Sequence, residues 1–363
     1  GVHLYFNSDD QEAKIIYSFL KDNTPVLAKI FHISLEDFES TEFIDFSITL
    51  SSNNGDYGFV SPDFAICTQC KKEMLDPNDR RYLYPFITCT TCGPRFSIID
   101  HLPYDRENTI MSYFSMCALC KKEYHDIGNT RFYSQTNSCN DCGIKMHIYD
   151  HNGLIQDLNL QKVADLILDG KIIAVKGIGG YILICDATND VAIKSLRVKK
   201  NRPFKPLAIL FEDIEMLNKY CQLCETEQMM LASEIVPILL LPLKDKHQLG
   251  IETIAPGLSI LGAMLPNNGL QILLSKYVGR PLIATSANIS GSPILFKDQE
   301  AMENLSSIYD YIISHNREIL MPQDDSVLKY SPIYKQKIIL RRSRGLAPIL
   351  WKKLPSKSDK IFG

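Results

Sequence analysis

Eight of the eleven cysteines in this 363-residue chain stand in four Cys-x2-Cys pairs: Cys67 and Cys70, Cys89 and Cys92, Cys117 and Cys120, Cys139 and Cys142. Gaps of 18, 24 and 18 residues separate the pairs, and each cysteine of the first half recurs 50 positions later. A Cys-x2-Cys knuckle lets two thiolates grip one ion, and two knuckles complete the tetrahedral shell that zinc prefers. The segments CTQCKKEMLDPNDRRYLYPFITCTTCG and CALCKKEYHDIGNTRFYSQTNSCNDCG also align between the cysteines, which marks an internal duplication. Eight thiolates fill two closed shells, so two structural zinc ions are expected, with no position left for water or substrate. Four disulfides of a secreted scaffold are the competing reading, and pairs repeated in register argue against it. Two pairings stay open: each repeat holds its own ion, which is preferred, or the outer pairs share one ion and the inner pairs the other. His101, His125 and His147 are surplus to complete shells and read as surface residues. Cys185 reads as core filler, and Cys221-x2-Cys224 has no second pair to complete a shell.

A second constellation suits polyanion chemistry. KSLRVKKNRPFKP (194–206) holds six basic residues and no acid. Its prolines put Lys200, Arg202 and Lys205 on a helix-to-strand loop, where binding residues tend to sit. Gly177, Gly179 and Gly180 follow a strand beside Lys176 and allow close backbone approach to a ligand. TSANISG (285–291) ends another strand with Thr285, Ser286 and Asn288, at the edge where an open sheet binds ligands. Arg341 and Arg344 lie in a second acid-free basic stretch, 335–353. No string matches a phosphate loop or a dinucleotide fingerprint. Together these residues describe a polyanion pocket with polar selectors.

The elements that must position them follow from pattern. From Leu154 onward, helix-like LQKVADLILDG leads to strands KIIAV and YILICDA, a helix capped by Thr188 or Asn189, and strands PLAILFE, PILLLPL, PLIATSA, YDYIISH and KQKIIL, with helices near 212–220, 226–234 and 267–277. This alternation predicts an α/β, open twisted sheet with helices on its faces, behind the cysteine module. Residues 1–56, with ten acidic and three basic residues, predict a small β-α-β unit: strand VHLYF, helix QEAKIIYSFL and strand AKIFHISLEDF. The expected division is 1–56, 57–150 for the two fingers, 151–350 for the sheet domain and 351–363 as a linker, an α+β multidomain chain truncated at both ends. Net charge is -3, and the longest uncharged apolar run, Ile235 to Leu243, is far short of the ~20 residues that span a bilayer. Residues 61–145 carry ten basic and ten acidic residues before four thiolates per zinc add negative charge, so nucleic-acid binding is not expected and a docking or spacer role fits better.

These strings, with KGIGGYILICDATND, LRVKKNRPFKPLAI, APGLSILGAMLP, ATSANISG, HNREI, DDSV and LRRSRGLAP, resemble the HypF-type hydrogenase maturation carbamoyltransferases from about Ser61 to Pro348. The α/β part looks like a YrdC domain, shared with threonylcarbamoyl-adenylate synthases, and the first 50 or so residues are similar to the second half of an acylphosphatase domain. The resemblance implies that carbamate derived from carbamoyl phosphate is adenylated by ATP, with Mg2+, to carbamoyl-AMP and pyrophosphate. The carbamoyl group then passes to the C-terminal cysteine of a HypE-type acceptor protein, in a cytoplasmic setting. It puts the catalytic set on Lys200, Arg202, Ser286 and Asn288, with Lys176, Gly179, Gly180, Lys205, Thr285, Arg341 and Arg344 as further nucleotide-binding candidates. Asp325 is a candidate for water-mediated Mg2+ or for a β-turn. In LPNNGLQ, Gln271 stands where the family has histidine. The acylphosphatase loop and the C-terminal transferase motif are not in the sequence, so carbamoyl phosphate hydrolysis and final transfer are not expected of it. The competing functions are threonylcarbamoyl-AMP synthesis for tRNA modification and a zinc-ribbon module that binds protein or RNA.

Overall fold

The computed structural model describes residues 2–24, 27, 28, 30, 32–38, 42–45, 47, 48, 60–156, 159–244, 249–288 and 291–349. It divides into two compact units, Val60–Ile349 and a second made of Gly1–Phe59 with Leu350–Gly363. The expected linker 351–363 lies outside the described residues.

In the smaller unit, helix α1 (Asp10–Asp22) forms where the QEAKIIYSFL pattern places it, and Asp9 caps it by accepting from the amides of Gln11 and Glu12. None of its residues is buried. The two expected strands are not formed among the described residues. Two strand-patterned segments supply few ladder hydrogen bonds and no closed apolar face, too little to hold a sheet by themselves.

The larger unit begins with the cysteine module, whose helices are α2 (Thr68–Leu75) and α3 (Ala118–His125). A mixed sheet of eleven strands follows, and in chain order its elements are β1 (Met146–Asp150), β2 (Gly153–Leu154), α4 (Leu160–Leu168), β3 (Ile173–Lys176), β4 (Tyr181–Asp186), α5 (Asp190–Lys199), β5 (Ala208–Leu210), α6 (Ile214–Asn218), α7 (Glu225–Leu231), β6 (Ile238–Pro242), α8 (Ile251–Ile254), β7 (Ile260–Met264), α9 (Gly269–Val278), β8 (Leu282–Ser286), α10 (Asp298–Asn304), β9 (Tyr311–His315), β10 (Val327–Ser331) and β11 (Gln336–Arg341). Their order across the sheet is β11-β10-β6-β7-β5-β8-β4-β3-β9-β1-β2. β3/β9, β5/β7 and β6/β10 are parallel and the other pairings antiparallel.

The central strands are continuous apolar runs because both faces are covered. Ile173, Val175, Ile182, Ile184 and Ile313 pack beneath α4, α9 and the first cysteine repeat. Ala174, Leu183, Cys185, Ile209 and Ile312 pack against α5, α7 and α10 on the other face. The open-sheet expectation is met, with every expected strand of this domain present. Strands β1, β2, β7 and β10 and helices α8 and α10 are additions that the residue pattern did not reveal. As expected for core filler, Cys185 is fully buried; Cys221 is also buried, and Cys224 sits at the N-cap of α7.

Candidate functional site

The cysteines gather within repeats, the preferred arrangement: Cys67, Cys70, Cys89 and Cys92 in one cage, Cys117, Cys120, Cys139 and Cys142 in the other. In the first, Sγ separations are 3.7 Å for Cys67–Cys89, Cys89–Cys92 and Cys92–Cys70. In the second, Cys117–Cys139 and Cys139–Cys142 are 3.8 Å and Cys142–Cys120 is 3.6 Å. Four thiolates about 2.3 Å from a central zinc form a tetrahedron with edges of about 3.8 Å, so the donor set fits that ion. No histidine or carboxylate joins either cage among the described residues.

The duplication is also a pseudo-twofold in space. Arg81 of the first repeat binds Glu123 of the second at 2.5 Å, together with the Ser138 carbonyl at 2.9 Å. Arg131, 50 positions after Arg81, binds Glu73 and the Thr88 carbonyl in return. Leu83 and Tyr133, again 50 apart, both take positive φ, 55° and 52°, and donate their amides to Met74 and Tyr124. This reciprocity is that of an isologous interface, here within one chain.

The basic loop and the end of β8 meet as expected. The α5–β5 loop carries Lys200, Arg202 and Lys205, and the N-terminus of α5 is capped by Asn189. Arg202 donates to Thr285 Oγ1 at 3.0 Å and to the Pro206 carbonyl at 2.6 Å. Lys200 is buried, and its Nζ donates to the carbonyls of Ser286 and Asn288, both at 2.8 Å, and to Asn288 Oδ1 at 2.9 Å. Burial and the neighbouring charges of Arg202 and Lys205 push its pKa down to about 8. All three ammonium protons are thus committed to the β8 end, which Lys200 clamps. Ser286 Oγ reaches Asn288 Oδ1 at 3.2 Å.

A cavity of about 340 Å³ opens beside this clamp, over strands β4 to β8. Its floor is apolar, with Ile238, Leu240 and Ile260, while Arg202, Lys205, Arg341, Thr285 and Ser286 stand in its wall with Gly179 and Gly180. Lys200, Asn288 and Lys176 do not line it. The glycine turn serves packing as well as access: a Cβ on Gly179 would sit 2.2 Å from the Gln323 carbonyl, and one on Gly180 2.8 Å from the Ile294 side chain. Arg344 also borders the cavity, but its guanidinium is spent on the carbonyls of Ile235 and Val236 and on Asp325. That ion pair gives Asp325 a structural partner. Gln271 lines the cavity and accepts the Asn267 amide at 2.9 Å, which closes the turn that leads into α9. Asp324 escaped sequence reading: it pairs with Arg341 at 3.2 Å, and burial raises its pKa. Only its place in the DDSV string hinted at it.

No helix among the described residues is long and apolar enough to cross a membrane. Comparison with known proteins matches residues 66–99 and 116–149 to the HypF finger family and residues 165–343 to a family described as telomere recombination, the Sua5/YciO/YrdC group. The chain is 42% identical to the carbamoyltransferase HypF of Synechocystis over 351 residues, covering 96% of this chain and 45% of that protein. It therefore spans about half the length of the curated relatives it matches. A crystal structure of full-length HypF in a phosphate- and nucleotide-bound form superposes with a TM-score of 0.89 at 40% identity, covering 94% of this chain and 44% of that one. A threonylcarbamoyl-AMP synthase of Pyrococcus abyssi is 29% identical over 140 residues, covering 38% of this chain and 41% of that protein. Because HypF relatives align through fingers and sheet alike, whereas the synthase reaches only part of the chain, the chain belongs to the HypF family.

Proposed function

We propose that the sheet domain binds ATP in the large cavity and adenylates carbamate. A carbamate oxygen attacks the α-phosphorus, the bond from that phosphorus to the β-phosphate bridge breaks, and carbamoyl-AMP and pyrophosphate result. The observation that carries this reading is the convergence of Arg202, Lys205 and Arg341 with the Thr285 and Ser286 hydroxyls over an apolar floor. Cations fixed in a partly dry site stabilise charge that develops on the departing phosphates. Arg202 supplies a planar fork for two oxygens, while the hydroxyls can bond phosphate or the small acyl group. Lys200 acts as a positioning residue that holds Ser286 and Asn288 in place, and the Mg2+ that accompanies ATP is part of the substrate.

The wider setting is proposed on the same footing. Carbamate would come from carbamoyl phosphate, residues 1–56 would belong to an acylphosphatase-like domain, and the product would pass to a HypE-type acceptor in the cytoplasm. The two zinc ions would be braces rather than reactants.

ATP–pyrophosphate exchange with the zinc-loaded chain and a carbamate source tests the reading. Exchange that falls roughly 100-fold in Arg202→Ala is the expected result, the size of one lost transition-state donor. A folded, metal-loaded sample that never exchanges sinks it. Lys200 carries its charge below about pH 8, so exchange should hold at neutral pH and fall as pH rises through about 8. Lys200→Arg should move that limb upward. Product mass after incubation with threonine and bicarbonate separates this reaction from threonylcarbamoyl-AMP synthesis.

A further inference from the structure

The two thiolate cages are related by the pseudo-twofold, but their surroundings break it in three places. Burial is the first. Cys70, Cys89 and Cys92 are buried in the first cage, whereas only Cys120 and Cys139 are buried in the second. Solvent reaches two ligands there, Cys117 and Cys142, against Cys67 alone in the first.

The second difference is a carboxylate. Thr91 stands between Cys89 and Cys92, and its hydroxyl lies 3.2 Å from Cys89 Sγ, placed to donate to the thiolate. Fifty positions later the residue is Asp141, exposed, with Oδ2 3.8 Å from Cys139 Sγ. When the four sulfurs are ionised around zinc, that carboxylate is a like charge beside the shell and weakens it.

The third is a cation. Arg80 reaches across from the first repeat and sets Nη2 2.8 Å and Nη1 3.7 Å from Cys120 Sγ. It stands 3.9 Å from Glu123, so the sulfur is its nearer partner. The equivalent residue is Thr130, which carries no charge and accepts from the Thr90 hydroxyl through its carbonyl at 3.0 Å. The paired arginines do not offset this, because they are matched. Arg81 Nη2 lies 3.7 Å from Cys120 Sγ and Arg131 Nη2 3.9 Å from Cys70 Sγ, and each is committed to a glutamate of the opposite repeat.

We propose that the second cage holds its zinc through a balance between Arg80 and Asp141 that the first cage lacks, and that metal loss begins at the second cage. A guanidinium N–H aimed at a coordinating sulfur draws off part of its negative charge and fixes its position. Outer-shell partners of this kind are worth about 10- to 100-fold in metal affinity. The first repeat, with Cys70, Cys89 and Cys92 in the core shared with the sheet, keeps its ion longer. One zinc can therefore leave while the sheet domain stays folded.

The zinc-loaded chain is equilibrated in a series of chelator buffers of set free zinc, and the zinc that stays with the protein is counted. Two withdrawals of one ion each are expected, and the weaker ion is the one missing from Cys142→Ser. In Arg80→Gln the weaker ion should leave at about tenfold higher free zinc, with the tighter ion unmoved and Arg80→Lys in between. Asp141→Asn should move the weaker ion the opposite way. Loss of both ions at one free-zinc level in the unaltered chain overturns the proposal, as does an Arg80→Gln shift of both ions or of neither. Should Arg80→Gln fail to fold, Asp141→Asn decides from its exposed position: firmer retention of the weaker ion supports the balance, and an unchanged midpoint overturns it.

Discussion

The two cysteine repeats share a cage, a helix and a reciprocal ion pair, yet they meet the rest of the molecule differently. In the first, Met74, Tyr84, Phe86 and Ile87 are all buried in the core formed with the sheet. Their counterparts 50 positions later are Tyr124, Ser134, Thr136 and Asn137. The first repeat also ties its backbone to the sheet domain, Ala65 to the Glu234 carbonyl at 2.9 Å and Ile66 to the Asn267 carbonyl at 3.1 Å. Gly269, opening α9, leaves room for it, since a Cβ there would sit 2.5 Å from the Pro85 carbonyl. The polar run of the second repeat is buried too, but against the connection between repeats: Arg106 donates to the carbonyls of Gln135 at 2.6 Å and Asn137 at 3.1 Å, and to that of Phe114. The difference teaches that ligands set the cage, whereas the residues between them decide what the cage is packed against.

Removing one ligand from each repeat is the strongest way to break the comparison. A structural zinc is worth on the order of 10 kcal/mol in isolated fingers, so Cys92→Ser and Cys142→Ser should each drop the metal content from two ions to one. Cys92→Ser should also lower the melting of the sheet domain, because Cys92 lies in the shared core; Cys142→Ser should leave that transition nearly in place. Equal effects on the sheet would collapse the distinction. Next in size, Phe86→Ala should cost roughly 3–5 kcal/mol in denaturant unfolding, against about 1 kcal/mol for Thr136→Ala. The reciprocal ion pairs test what the repeats have in common: Glu73→Gln and Glu123→Gln should each cost about 1–3 kcal/mol and by similar amounts, a markedly one-sided result contradicting the pseudo-twofold. The smallest effect is expected at the surface, where Leu119→Gln, replacing an exposed leucine by the residue found at the equivalent Gln69, should stay within about 0.5 kcal/mol.

Much of this was legible in the residues. The 50-residue recurrence announced the duplicated cages, and runs such as YILIC and PLIATSA announced strands buried on both faces. The basic loop around Lys200 and the hydroxyls at the end of β8 lie next to each other in the structure. Less visible were β7, whose apolar run is broken by Gly262, and β10, which lacks a long apolar run; both are held by neighbouring strands of the sheet. The strands expected at 2–6 and 28–38 show the converse, a β-compatible pattern that forms no ladder among the described residues. The division of labour between Arg202, which faces the cavity, and Lys200, which clamps its wall, could not be read from spacing, because both lie on one loop two residues apart.

By itself, the sequence determined the donor sets, the internal repeat and the class of sheet, since thiolate chemistry and side-chain periodicity are local properties. Only the tertiary structure decided which cysteines share an ion, which repeat is sealed into the core, and which basic side chains are buried. Those outcomes depend on groups distant in the chain, such as Phe86 beside Arg317 or Glu73 beside Arg131. Burial and pairing are set by such neighbours, and one-dimensional order does not specify them until the chain has folded.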